Sequence, residues 1–462
     1  MSRAPYDTIL IGAGMSGLAA GIRLAQFDQR VLILERHYLW GGLNSFYKKA
    51  GRRFDVGLHA LTNYVPKGTR GAPLTKLLRQ LRLRYEDLHL APQGFSEIAV
   101  RDCRLRFSND FELLREEVGE RFPDQRDGFE RLTRAVADYD AFEPHDTELG
   151  ARQVLADYLD DPLLVDMLLL PICYYGSARE DDVDWYQFVI LFRSLFEEGF
   201  ARPEGGMKPF LDLFVQRYRE LGGELRLKTG VESLLVEDGR CQGVRLDDGS
   251  ELLASRVMSS TGLVETMRLA GRGAEVEAER GRLSFTETLF VLDRPPAELG
   301  FSPTILFFSD AESLAYRRPE ELIDPRSGVL CCPNNYRSEA PLPEGIYRMT
   351  TLANPEAWGA LDDDAYAAAK VACVDRALEV ANRYGIDPRP HEVARDSFTP
   401  RTIQRFTGKL DGAVYGARSK RLDGTTPIED LHLIGTDQGL LGVTGSILSG
   451  ISMANRHALV PH

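Results

Sequence analysis

Tyr6 to Ile11 is a run of strand-forming residues, Met15 to Phe27 carries apolar residues at helical spacing, and Arg30 to Glu35 is a second apolar run. Strand, helix and strand in that order predict one parallel βαβ unit, the opening of a doubly wound α/β fold. From about 75 to 200 the spacing turns helical. Leu74 to Leu78, Phe129 to Phe142 and the amphipathic Trp185 to Phe200 repeat apolar residues at the intervals of a helix face. Pro203, Gly205 and Gly206 punctuate the chain before a helix from Pro209 to Leu221 and short strands with hairpin signals at Asp238-Gly239 and Asp248-Gly249. Arg256 to Thr261 reads as a returning strand. Between about 280 and 400, strand-like pieces (Thr288 to Leu292, Tyr347 to Leu352) accompany one long helix, Asp363 to Tyr384. The end returns to strand, Leu431 to Gly435, and helix, Ser446 to His457.

A chain of 462 residues is too long for one ordinary core. The expected architecture is therefore α/β: a Rossmann-like dinucleotide-binding domain in three pieces (1–75, 203–275 and 425–462). An inserted α+β substrate-binding domain fills 76–202 and 276–424.

Gly12-Ala13-Gly14-Met15-Ser16-Gly17 directly follows a strand and opens a helix. Gly12 permits the tight turn, Gly14 lets the backbone approach a pyrophosphate at the helix N-terminus, and Gly17 lets helix and strand pack closely. Glu35 ends the second strand about 20 residues on, where its carboxylate can accept hydrogen bonds from the adenosine ribose and repel a 2′-phosphate. Gly41-Gly42 offers a second close backbone approach and favours FAD over NAD. The C-terminal run Gly435-Thr436-Asp437-Gln438-Gly439 leads through Gly442-Val443-Thr444 into a helix. That helix N-terminus suits the flavin edge on which negative charge develops on reduction, and Asp437 is placed to bind a ribityl hydroxyl.

The net charge of -13, without a long Lys/Arg run, argues against a nucleic-acid partner. Six cysteines (103, 173, 241, 331, 332 and 373) include no Cys-x-x-Cys pair, and no metal-ligand cluster is visible. They are expected to be reduced thiols. A first strand within about six residues of the start leaves no room for a signal peptide, and Leu163 to Tyr175 is too short to span a bilayer. The expected location is cytoplasmic, with peripheral contact to a membrane leaflet left open.

These segments resemble the FAD-dependent group of phytoene desaturases, carotenoid cis–trans isomerases and retinol saturases, relatives of the amine oxidases. The resemblance spans nearly the whole chain. It rests on Gly12 to Gly17 with Glu35, Gly41-Gly42, Phe54-Asp55-Val56-Gly57-Leu58-His59, Pro203-Glu204-Gly205-Gly206 to Thr261-Gly262, and Gly435 to Gly450. It implies that the backbone at Val231 lies on the adenine and that His59 runs beside the isoalloxazine ring. There His59 either orients substrate or donates a proton, or is a hydrogen-bonded core histidine. Desaturases carry Arg after the Gly-Gly pair to meet the pyrophosphate; here Leu43 and Asn44 follow, which with Gly57-Leu58-His59 tilts the reading toward the saturase and isomerase branch. The expected cofactor contacts are Gly12, Gly14, Met15, Ser16, Gly17, Glu35, Arg36, Gly42, Leu43, Val231, Gly435, Asp437, Gly442, Val443 and Thr444.

The implied activity is FAD-dependent redox chemistry on C–C or C=C bonds of an apolar polyene or isoprenoid, by desaturation, saturation or cis–trans isomerisation. The electron acceptor would be oxygen, a quinone or a redox protein, because no second glycine fingerprint remains for a nicotinamide. The apolar surplus at Leu163 to Leu170 and Phe188 to Phe192, flanked by Arg193 and Lys208, suggests a tunnel wall or a leaflet-facing surface. The alternatives are an amine oxidase-like enzyme and a non-catalytic FAD-binding interaction protein.

Overall fold

The computed structural model describes residues 5–57, 60–69, 71–140 and 149–460. Its first sheet has seven strands. Tyr6–Ile11 pairs in parallel with Val31–Glu35 on one side and Glu251–Ser259 on the other, and the parallel layer extends to Glu224–Leu227 and Leu431–Leu433. Val231–Glu237 and Arg240–Leu246 complete it as an antiparallel meander onto Glu251–Ser259. Ile9, Leu10, Leu32 and Ile33 are wholly buried, which is why the strands read as continuous apolar runs and not as alternating ones.

Helix Met15–Ala25 covers one face of this sheet and packs along helix Gly442–Ala454. Small residues allow the close approach: a Cβ on Gly450 would stand 2.3 Å from the Ser16 carbonyl oxygen. The two ends of the chain are thereby pressed together, with the C-terminal helix beginning four residues before the expected Ser446.

The second sheet also has seven strands, in the order Glu392–Phe398, Ser284–Leu292, Gly345–Ala353, Ile323–Cys331, Ile305–Ser309, Ser96–Val100 and Cys103–Phe107. Every pairing is antiparallel except that of Ile305–Ser309 with Ser96–Val100. The last two strands correct the helical reading of 75–200. Arg104 and Arg106 alternate with Leu105 and Phe107, which are wholly buried, and this is a period-two pattern. Its turn uses Arg101 at φ 51°, so no Gly or Asn marked the hairpin.

The stretch also holds the short strand Leu90–Pro92 and the helices Glu112–Arg121, Arg126–Asp138, Ala151–Leu155, Pro162–Gly176 and Trp185–Phe192, the last extended by a wider turn at Arg193–Glu197. Pro162–Gly176 is started by Asp161, whose carboxylate accepts from Leu163 N and Leu164 N at 2.8 and 3.3 Å. The surplus of apolar residues here is core and not surface. Met167, Leu168, Phe188 and Phe192 are all 0% exposed, Arg193 donates to the carbonyls of Val136 and Tyr139, and Lys208 pairs with Asp212. The expected leaflet-facing surface is therefore absent from these helices. Among the described residues no helix is long and apolar enough to cross a membrane.

Candidate functional site: a dinucleotide cradle opening into an apolar chamber

A cavity of about 250 Å³ lies over the carboxyl ends of the parallel strands, at the N-terminus of helix Met15–Ala25. The first intrahelical bond of that helix runs from Leu18 N to Gly14 O at 2.9 Å, so the N–H groups of Met15, Ser16 and Gly17 have no helical acceptor and are available to an anion. The backbone at Gly14 bridges in parallel to Gly41, a Cβ on Gly42 would lie 3.6 Å from Gly14 Cα, and a Cβ built on Gly14 would have no protein atom within 4 Å. This leaves open space beside the N-terminus of helix Met15–Ala25. Gly17 has the opposite environment, since its Cβ would sit 2.1 Å from the Gly12 carbonyl oxygen. Glu35 is fixed at the rim: Ala13 N and His37 N each donate to its carboxylate at 2.9 Å. Gly12, Met15, Ser16, Arg36, Leu43, Val231 and Gly435 also line the cavity.

A second cavity, about 230 Å³, shares Leu43, Asn44, Thr436 and Ser446 with the first and lies between it and the second sheet. Gly442 and Val443, at the N-terminus of the C-terminal helix, form one wall. Val56, Phe285, Phe398, Ile403, Val414 and Leu441 make it largely apolar. Its tyrosines face inward by virtue of bonds made elsewhere: Tyr175 Oη donates to Ala60 O at 3.0 Å, Tyr174 Oη meets Ser327 Oγ at 2.9 Å, and Tyr415 Oη donates to Tyr174 O. Burial pushes all three phenols well above their ordinary values, so they remain neutral.

The chamber's one carboxylate among its described lining residues is Glu287, which is paired with the buried guanidinium of Arg348. Burial is the largest influence and disfavours the Arg348 charge, but Glu287, Cys331 and Asp55 together outweigh it and raise its pKa. Thr350, beside them, carries a buried hydroxyl with no hydrogen-bond partner. A third cavity, about 390 Å³, shares Leu43, Val56, Phe398 and Ile403 with the chamber and reaches the surface at Tyr38 and Phe406, which are 51% and 48% exposed.

Asp437 is buried in the loop that follows strand Leu431–Leu433. Its carboxylate is 1% exposed and accepts from Leu263 N at 2.6 Å and Ala417 N at 2.8 Å, with Lys420 Nζ 3.6 Å away. Burial opposes its ionisation, but Lys409, Lys420 and the two N–H donors win and hold it below the usual carboxylate range. Each oxygen accepts one backbone N–H, which fixes the Gly435–Gly439 loop, and Asp437 is not among the residues lining the cradle. Thr444 is also outside the cavity walls, with a buried, unpartnered hydroxyl. His59 lies outside the described residues.

The flavin-containing amine oxidoreductase family matches residues 15–456. The chain belongs to this family. It is a flavoenzyme, an oxidoreductase that uses FAD, and the cradle residues suit that cofactor. Prolycopene isomerase of Arabidopsis thaliana is 22% identical over 98% of this chain and 82% of its own length. The lycopene-forming phytoene desaturase of Pseudescherichia vulneris is 27% identical over 62% of each chain. An oxidoreductase of Methanosarcina mazei has the same fold, with a TM-score of 0.65 at 18% identity over 96% of this chain and 99% of that one. The non-catalytic alternative falls with these findings.

Sequence reasoning missed Thr229, Ser260, Glu265, Lys409 and Thr436 in the cradle, and Glu287, Thr350 and Tyr415 in the chamber. Thr229, Ser260, Lys409 and Thr436 follow strand or helix ends and Glu265 lies in the first turn of helix Leu263–Leu269, so only the three-dimensional convergence of strands 231–237, 251–259 and 431–433 reveals them. Glu287 carried a signal: it is the one acidic residue inside the otherwise uncharged strand Ser284–Leu292.

Proposed function

We propose that the protein transfers hydride equivalents between FAD and an apolar polyene or isoprenoid, changing the order or geometry of its C–C/C=C bonds. The observation that carries this reading is the chamber: an apolar, tyrosine-walled space whose described lining holds a single, paired carboxylate, adjoining the cradle and a third cavity that opens at Tyr38 and Phe406. Prolycopene isomerase and phytoene desaturase as relatives point the same way.

The bound flavin would supply hydride acceptance and return. The chain's own part is to orient the polyene along Phe285, Phe398 and Val414 and to exclude water. Glu287, with Arg348 behind it, is the group placed to stabilise positive charge on the hydrocarbon or to hold a proton. The first sheet with its helices is the cofactor domain in this reading, and the second sheet with the helices of 112–197 is the substrate domain. Leaflet contact is supported by the mouth, where exposed Lys48 and Lys49 flank the aromatic rim.

The test is to extract lipid from purified protein and identify it by mass spectrometry. A polyene or isoprenoid should co-purify with the wild type and be lost from Val414→Trp, in which FAD content stays normal. Equal lipid in both, or none with either, would contradict the assignment of the chamber.

A further inference from the structure

Two cations line the dinucleotide cradle among its described residues, Arg36 and Lys409. They are not equivalent. Arg36 donates to the carbonyls of Arg405 and Gln404, at 2.8 and 3.3 Å, and so ties off the end of helix Pro400–Thr407. That helix stops at Gly408, whose φ of 78° turns the chain and delivers the next residue, Lys409, to the cradle. Lys409 is 5% exposed, and its ammonium is a buried group with no hydrogen-bond partner. Its carboxylate neighbours are already engaged: Glu265 accepts from Leu410 N at 2.8 Å, and Asp437 accepts from Leu263 N and Ala417 N. A buried cation without hydrogen bonds is costly unless an anion completes it. The N-terminus of helix Met15–Ala25 lines the same cavity, and the residue following Gly42 is the uncharged Leu43.

We infer that Lys409 is the side-chain cation of the cradle, binding the diphosphate of the dinucleotide together with the Gly14–Gly17 turn. It thereby links helix Pro400–Thr407 to the cofactor. This inference rests on the reading of the cavity as the FAD site, and the test separates the two. ADP and adenosine share the nucleoside, and only ADP carries the diphosphate. Both are titrated calorimetrically into full-length protein stripped of flavin.

Wild type should bind ADP more tightly than adenosine, with an advantage that shrinks as salt rises. In Lys409→Met the ADP affinity should fall about 10-fold or more while adenosine binding stays within about 2-fold, as expected for loss of one charge-assisted bond. Lys409→Arg should recover most of the loss. The thermal midpoint of each flavin-free variant checks folding, and Lys409→Gln, which keeps a donor without the charge, makes the same comparison if the Met variant is unfolded. Unchanged ADP affinity in the folded Met or Gln variant, or an equal loss for ADP and adenosine, overturns the inference and leaves Lys409 as a structural counter-ion to Asp437. Failure of wild type to bind either ligand overturns the cavity reading itself.

Discussion

The two sheets meet at adjoining cavities that share Leu43, Asn44, Thr436 and Ser446 but are walled with different material. Around the cradle the lining is largely backbone: the Gly12–Gly17 turn, the Gly14–Gly41 bridge and the N-terminal turn of helix Met15–Ala25. Around the chamber it is side chains, namely aromatic rings from helix Pro162–Gly176 and the second sheet, with one buried ion pair beneath them. A backbone surface tolerates no added atom but needs little else from the sequence. A side-chain surface tolerates changes of shape, yet each of its buried polar groups depends on a partner. Damage to the first should therefore appear in cofactor binding, and damage to the second in stability and substrate choice.

The largest effects contrast two glycines three residues apart. Gly17→Val drives its Cβ into the Gly12 carbonyl, which stands 2.1 Å away, and should prevent folding. Gly14→Val meets no protein atom within 4 Å and has an ordinary φ of -72°, so the flavin-free thermal midpoint should hold while bound FAD falls to near zero. Absorbance at the flavin band and a melting curve read both. Normal FAD content in Gly14→Val would break the placement of the cofactor.

In the second region, Glu287→Leu strands the Arg348 guanidinium, which is 1% exposed. It should cost about 3–5 kcal/mol in urea unfolding, and adding Arg348→Met should recover most of that. The folded fraction of both variants should still bind FAD. A single variant as stable as wild type would mean that the pair is not the support of the chamber floor.

The difference in material also explains what was legible in the sequence. Gly12, Gly14, Gly17 and Glu35 fall within one βαβ unit, so local spacing was enough to place them, and the strand and helix bounds there are right to within two residues at each end. The chamber draws Tyr174, Glu287, Thr350 and Tyr415 from four separated segments, and no local pattern joins them. Strands 96–100 and 103–107 were hidden by helical neighbours and by a turn without glycine. The apolar excess of Phe188 and Phe192 was visible, but sequence alone could not say whether it faced a core or a surface.

A smaller effect lies at the junction of the two halves. The Asp437 carboxyl is held below its ordinary range by Lys409, Lys420 and two N–H donors, despite burial. A depressed folded-state pKa contributes stability that is full above the unfolded value, about 4, and fades as pH falls toward the folded value. Wild type should thus lose urea resistance on acidification below about pH 5, and Asp437→Asn should show less of this loss from a lower starting point. Parallel pH profiles for the two proteins would remove Asp437 as the contributor.

The most direct test of the central claim is anaerobic turnover by FAD-loaded protein, offered either a polyene in neutral liposomes or a small water-soluble amine. Flavin absorbance and product chromatography are followed together. The account predicts FAD-dependent change in the number or geometry of the polyene double bonds, abolished in Gly14→Val, and no oxidation of the amine. Rapid flavin bleaching by the amine, with the polyene recovered unchanged, would contradict it.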